Sequence, residues 1–200
     1  MIVDSISKQL IVLDSRDWMK PYTIPNFLTL EECLIIRNYW REDRTVKSTV
    51  YARKDDGFES KIDKKYREGK VFWITHETIP WLTDRLLQAI WKINDKCFGF
   101  NITGIFDSIQ LTKYKVGDFY SAHRDCGSGK LRFRKISFTI QLSDPADYKG
   151  GILDIYGQPA AETEQGTIII FPSFMLHKVT PVTHGERFSL VSWIVGAEWR

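Results

Sequence analysis

Cysteine and histidine are scarce in this chain, three of one and four of the other in 200 residues. Cys33, Cys97 and Cys126 form no Cys-x-x-Cys pair and leave one thiol over in any disulfide scheme. That excludes a disulfide framework and points to free thiols in a reducing compartment. No stretch approaches 18 uninterrupted apolar residues, so no membrane-spanning helix is expected. The opening Met1-Ile2-Val3-Asp4-Ser5 lacks a basic segment followed by an apolar run. It does not read as a secretory signal, and the expected location is cytoplasmic. Excess charge is also missing: 28 Lys and Arg face 25 Asp and Glu, and a net charge of +3 gives no ground for nucleic-acid binding. Neither nucleic acid nor a membrane is an expected partner.

Apolar and aromatic residues are plentiful. A hydrophobic content of 43% with 7 Trp, 8 Tyr and 12 Phe suits one domain with a substantial core. The first half reads as mixed helix and strand. Leu10-Ile11-Val12-Leu13 is a short run of strand type. Thr29 with Glu32 three residues on has the pattern of a capping box and predicts a helix over 30–40, with Leu30, Cys33, Leu34, Arg37 and Trp40 at helical spacing and Ile36 on the neighbouring face. A second helix is predicted from about Pro80 to Phe98, with Trp81, Leu82, Leu86, Ile90 and Ile93 recurring at three- and four-residue intervals. Between them, 53–70 is dense in mixed charge and reads as a solvated loop, long enough to be a candidate lid.

From Ile105 the pattern changes. Short apolar or alternating runs recur at 105–115, 118–124, 133–143, 151–156, 166–172, 175–181 and 187–196, punctuated by glycine-containing turns. Seven such strands indicate a closed or two-sheet antiparallel architecture, with the two helices available to cover one outer face. The expected organisation is a single domain: 1–103 as support, 104–196 as the β core.

Within that core stands His123-Arg124-Asp125, followed by His177 and then Arg187. Two imidazoles and one carboxylate are the ligand set of a non-haem Fe(II) site with open coordination positions. On a strand, His123 and Asp125 project from one face. Four histidines and 15 aspartates yield a chance His-x-Asp about 0.3 times, so the tripeptide gains weight only from what accompanies it. Arg187, ten residues after His177, is placed to hold a carboxylate. Its competing use is a surface ion pair with Glu186. His76 and His184 have no partners at ligand spacing and read as structural or solvent-facing, and Cys126 as a bystander.

Four stretches together resemble the Fe(II)/2-oxoglutarate-dependent dioxygenases of the prolyl 4-hydroxylase-like branch. Tyr114-Lys115-Val116-Gly117-Asp118-Phe119-Tyr120-Ser121-Ala122-His123-Arg124-Asp125 is similar to that branch's Tyr-x-x-Gly-x-x-Tyr-x-x-His-x-Asp. Ile140-Gln141-Leu142-Ser143 with Gly150-Gly151-Ile152-Leu153 resembles its strand and Gly-Gly-x-Leu bend. The third is Phe171 to Val179, around His177, and the fourth Pro181 to Trp193, around Arg187. The likeness spans about 111–193.

The resemblance implies a mainly β fold with flanking helices (α+β), a double-stranded β-helix of jelly-roll or cupin-like type covered on one face by the N-terminal helices. It implies His123, Asp125 and His177 as Fe(II) ligands, 2-oxoglutarate and O2 as co-substrates, and ascorbate as an accessory reductant. Arg187, Ser189 and Tyr114 would hold 2-oxoglutarate, with Thr139 and Gln141 adding polar contacts. Trp193 and Tyr120 would face the substrate, Tyr120 only if its strand bends or bulges. The implied reaction couples decarboxylation of 2-oxoglutarate to succinate with hydroxylation of an aliphatic carbon, on a prolyl residue of a peptide or protein. A free amino acid or small metabolite is the alternative substrate. Nucleic-acid demethylation is disfavoured because the related branch has a second arginine where this chain has Trp193. A non-catalytic barrel would have lost a ligand, and none is missing. Oligomeric state is not legible.

Overall fold

In the computed structural model, which describes residues 16–54, 57–105 and 108–199, the chain enters through a short strand β1 (Tyr22–Ile24) and a helix α1 (Leu30–Arg37). The predicted strand Leu10–Leu13 lies outside the described residues. Thr29 starts α1 as the capping box expected: its Oγ1 accepts from the Glu32 backbone N–H at 3.1 Å, and its own N–H donates to Glu32 Oε2 at 3.0 Å. Thr29→Ala is expected to lower stability by about 1 kcal/mol, read as a shifted urea midpoint at unchanged m-value.

The helix stops at Arg37, three residues short of Trp40, and its buried residues are Cys33 and Ile36. Leu30 and Leu34, expected on the core side, are 63% and 54% exposed. The reason lies in the composition: 30 and 33–36 are apolar nearly all the way round, so spacing alone does not choose a face. A helix of two turns then buries only a narrow edge.

Next come β2 (Val46–Lys47), β3 (Val50–Lys54), β4 (Gly57–Lys61), β5 (Arg67–Glu68), β6 (Lys70–Ile74) and helix α2 (Pro80–Ile93). The stretch 53–70 is therefore not a loop. β3 and β4 pair antiparallel from Val50↔Lys61 to Lys54↔Gly57. Charged side chains do not prevent strands from pairing through the backbone, and they are common on sheet edges. α2 buries Leu82, Leu86 and Ile90 as expected and runs on through one wider turn, Asn94–Phe98, which ends at Gly99 in the left-handed region (φ 68°). Trp81 stays partly exposed. Arg85 on α2 grips Glu32 through two bonds of 2.7 and 2.8 Å, tying the helices together.

The remaining strands are β7 (Ile102–Ile105), β8 (Ile109–Tyr114), β9 (Phe119–His123), β10 (Arg134–Gln141), β11 (Tyr148–Gly150), β12 (Leu153–Ile155), β13 (Ile168–Pro172), β14 (His177–Val179), β15 (Val182–Gly185) and β16 (Arg187–Gly196). A strand lies in each of the seven predicted stretches, β8 in 105–115, with β7 ending at the first residue of that stretch. The major sheet runs β1-β13-β10-β16-β8-β6-β2, with β7 also on β16; the minor sheet runs β12-β14-β9-β5. All pairings are antiparallel, and the two sheets form a double-stranded β-helix.

The two faces of the major sheet differ in kind. Outward, Leu111, Ile136, Phe138, Ile140, Ile170 and Leu190 pack with Cys33, Ile36, Leu82, Leu86 and Ile90 of the helices into the main core. Inward, the buried face carries Gln110, Thr112, Ser137, Thr139, Gln141, Arg187 and Ser189. In Ile136-Ser137-Phe138-Thr139-Ile140-Gln141 the period-2 alternation places apolar groups outward and polar groups inward. Burying a polar face is costly unless something meets it. This one faces the minor sheet and the site.

Candidate functional site

The register between β9 and β14 sets the site. His177 pairs with His123 and Val179 with Tyr120, so two steps on β14 span three on β9, which makes a bulge. The bulge turns Tyr120 onto the side of His123, where the rings stack at 3.5 Å between centroids with 16° between planes. His123 and His177 lie 4.2 Å apart, centroid to centroid.

Each imidazole is oriented by a main-chain carbonyl: His123 Nδ1 lies 2.8 Å from Ser121 O and His177 Nδ1 lies 2.9 Å from Met175 O. A carbonyl only accepts, so each Nδ1 carries the proton and each Nε2 presents a lone pair. Those two Nε2 atoms each lie 3.5 Å from Asp125, one from Oδ1 and the other from Oδ2. Contrary to the strand expected from the sequence, Asp125 does not lie on the strand with His123. β9 ends at His123, and Asp125 sits in the following bend, where its N–H and that of Cys126 both donate to Ser173 O at 2.9 and 3.1 Å. Proximity to His123 comes from this anchored bend.

Ser137 Oγ donates to Asp125 Oδ2 at 2.7 Å and lies 2.9 Å from Ser173 Oγ. Burial alone would raise the Asp125 carboxyl, but His177 and His123 when protonated, together with the Arg134 guanidinium, outweigh it and hold it below the usual range. Burial lowers His177, keeping it neutral with its lone pair free. The three ligand atoms lie within 4.8 Å of one another, the one such cluster among the described residues. Two carbonyl-oriented imidazoles and a hydroxyl-braced carboxylate fit a divalent transition metal. Ser137→Ala is expected to weaken Fe(II) binding about 10-fold with little change in fold, checked by anaerobic titration and circular dichroism.

Arg187, only 1% exposed, lies on the inner face of the major sheet. Nη2 donates to Gln141 Oε1 at 2.8 Å, Nη1 reaches Ser189 Oγ at 3.4 Å, and Nε has no partner among the described residues. Its guanidinium carbon is 5.9 Å from the centre of the Tyr114 ring. The competing ion pair with Glu186 is not made, since Glu186 engages Lys113 at 2.9 Å and Lys115 at 3.9 Å. The Gly-Gly bend makes room for Arg187: a Cβ on Gly151 (φ +61°) would stand 3.0 Å from Arg187 Cδ, and one on Gly150 would strike Pro181 O. Thr112, opposite Ser189 on β8, also has a buried hydroxyl without a partner among the described residues. A buried guanidinium with no carboxylate, beside an unpaired hydroxyl, fits an anionic organic co-substrate.

A cavity of about 210 Å³ is lined by His123, Asp125 and His177 together with Tyr114, Tyr120, Thr139 and Trp193. Gln141 differs from the expectation. Its Nε2 donates to Glu162 O at 3.0 Å while its Oε1 holds Arg187, so it braces the guanidinium and does not line the cavity. His76 lies by Thr83 Oγ1 at 3.3 Å, His184 is exposed on β15, and Cys126 is half-buried outside the ligand cluster.

Sequence reading missed Ser137, which its shared face with Thr139 and Gln141 could have revealed. It missed Arg134, whose guanidinium lies 3.5 Å from the Trp193 ring centre, and Arg67 and Gln110, which also line the cavity.

Residues 109–195 match the family model of the 2OG-Fe(II) oxygenase superfamily. A PKHD-type hydroxylase of Hyphomonas neptunium is 44% identical over 88 residues, 40% of this chain and 39% of that protein. A PKHD-type hydroxylase of Idiomarina loihiensis is 35% identical over 89 residues, 43% of this chain and 41% of that one. The matched stretch is thus about two fifths of the length of these curated relatives. Among solved structures, a Pseudomonas putida prolyl-4-hydroxylase superposes with a TM-score of 0.66 at 20% identity, covering 88% of this chain and 92% of that one. A Trichoplax adhaerens prolyl hydroxylase, in complex with a hypoxia inducible factor peptide fragment, gives 0.66 at 19% identity over 89% and 84% of the two chains. Residues 109–195 thus carry a match to the 2OG-Fe(II) oxygenase superfamily, and the chain has the fold of the prolyl hydroxylases on which it superposes.

Proposed function

We propose that this chain is an Fe(II)- and 2-oxoglutarate-dependent dioxygenase that hydroxylates an aliphatic carbon of a prolyl residue in a peptide or protein. The observation that carries the reading is the pairing of two features in one barrel. One is a cluster of two oriented imidazoles and a braced carboxylate; the other is a buried guanidinium that has no acid among the described residues. In this reading His123 Nε2, His177 Nε2 and the Asp125 carboxylate hold Fe(II), which supplies the redox chemistry coupling 2-oxoglutarate decarboxylation to C–H hydroxylation. Arg187 takes the distal carboxylate of 2-oxoglutarate through its planar fork, with Ser189 and Gln141 orienting it. Tyr114 and Thr139 flank the co-substrate, and Tyr120 and Trp193 wall the substrate side.

A peptide substrate is supported by a second hollow of about 410 Å³, which shares Tyr120, His123, Arg124 and Leu131 with the main cavity. The names of the structural relatives above point the same way. A free amino acid or small metabolite is the second reading, favoured by the modest main cavity of about 210 Å³. The test is succinate formation from 2-oxoglutarate with a peptide library, scored for a gain of one oxygen by mass. Turnover should require Fe(II) and cease with a chelator; turnover that survives chelation would sink the reading.

A further inference from the structure

Arg67 is a buried cation whose partners do not match its charge. It is 8% exposed and lines the cavity. Nη1 donates to Thr49 O at 3.2 Å and Nη2 to Gln110 Oε1 at 3.3 Å, while Nε is buried with no partner among the described residues. Both acceptors are neutral and both bonds are long. Arg85, by contrast, meets Glu32 through two bonds of 2.7 and 2.8 Å. A guanidinium withdrawn from water without an anion is costly, and its fork is shaped for a carboxylate or phosphate.

Its position ties this charge to the site. The guanidinium carbon sits 4.5 Å from the centre of the Tyr120 ring, and that ring stacks on His123. Guanidinium, phenol and imidazole form a three-layer pile ending at a metal-ligand residue. Among the described residues, the charged side chains lining the cavity are Arg67, Arg124, Arg134 and Asp125, and the one carboxylate among them belongs to the ligand cluster. Under the proposed function, the divalent cation and the dianionic co-substrate offset each other, as do Arg187 and Asp125. The surplus that faces a substrate is positive.

We propose that the substrate bears an anionic group, a carboxylate, which Arg67 receives on the cavity wall one aromatic ring away from His123. The acid lies on the oxidised residue or on its immediate neighbour, because the pile leaves only a ring's thickness between the two subsites. This rests on the oxygenase reading above, with Arg187 serving 2-oxoglutarate and Arg67 serving the substrate. A purely structural Arg67 would brace Thr49 and Tyr120 and would not distinguish an acid from its amide.

The test compares acetyl-Pro-Glu-amide with acetyl-Pro-Gln-amide, and acetyl-Ala-Glu-amide with acetyl-Ala-Gln-amide. Each is titrated without O2 into the Fe(II)- and 2-oxoglutarate-loaded protein, read by the fluorescence of Trp73 and Trp193, which line the cavity. Glutamate peptides should bind 10-fold or more tightly than glutamine peptides in both series. Arg67→Gln should erase the preference and Arg67→Lys should keep part of it. The affinity for 2-oxoglutarate, followed by its charge-transfer absorbance with Fe(II), should not move in either variant. Equal binding of acid and amide by the unaltered protein overturns the proposal, whatever the variants do. So does a loss of 2-oxoglutarate affinity in Arg67→Gln that parallels the loss of peptide, because the anion would then be the co-substrate's. Preferred binding of both glutamate peptides with no hydroxylation once O2 is admitted upholds the anion site and removes the prolyl reading.

Discussion

Asp125→Ala is expected to abolish Fe(II)-dependent succinate formation and to weaken Fe(II) binding by 100-fold or more, while leaving the protein folded. Asp125 is the single carboxylate of the proposed ligand cluster, and the two imidazoles that remain bring no negative charge. Charge and one of three ligands are lost together, and two neutral donors hold a divalent cation poorly in competition with water. The fold should tolerate the change. The bend at Asp125 is held by its backbone N–H on Ser173 O, which alanine retains, and the Ser137 hydroxyl keeps Ser173 Oγ at 2.9 Å as its partner. No buried donor is orphaned, so the cost stays local. Asp125→Glu is the sharper control. It keeps the charge but pushes the carboxylate one methylene outward from Ser137, so it should bind metal better than alanine and turn over far more slowly than the unaltered protein. Anaerobic Fe(II) titration and a succinate assay check the pair. An alanine variant with normal iron affinity would remove Asp125 from the ligand set.

The chemistry of this site was far more legible in the sequence than its construction. His123, Asp125, His177 and Arg187 stand out because each proposed role demands a residue type that few others fill. The strand alternation around Ser137, Thr139 and Gln141 likewise shows a face that is polar at every second position. What hid the rest was register and backbone shape. Nothing in Phe119 to His123 announces the bulge that brings Tyr120 onto His123, and nothing marks β9 as ending before Asp125. Both are settled by pairing with β14, more than fifty residues away in the chain. Arg67 was hidden in another way. It sits in a stretch so rich in charge that burial of any one member is not expected, and β5 is only two residues long. Its partner strand β9 draws it inward, with Arg67 opposite Tyr120. Gln141 shows the remaining limit: its face is correct by alternation, yet whether it meets a ligand or braces Arg187 depends on Glu162 arriving through a later loop.

Arg187→Met should raise the KM for 2-oxoglutarate on the order of 100-fold, the size expected for removing a charge-assisted, two-pronged contact from a buried site. Methionine fills much of the same volume, and its flexible chain suits the channel beside Gly151, so loss of charge should dominate over loss of packing. What the structure adds is a graded series. Arg187→Lys keeps the positive charge but not the planar fork, and it forfeits the bond to Gln141 Oε1 or to Ser189 Oγ, since a single ammonium does not span both. Its KM should fall between those of methionine and arginine. Gln141→Leu leaves the guanidinium in place but takes away its 2.8 Å acceptor and should raise KM by less than Arg187→Lys. Because Arg187 is not a member of the His123, Asp125 and His177 cluster, Fe(II) affinity without co-substrate should stay constant along the whole series. That constancy separates a co-substrate anchor from a general structural post. If iron affinity falls in step with 2-oxoglutarate affinity, the guanidinium is holding the barrel together, and the carboxylate of 2-oxoglutarate must be met elsewhere.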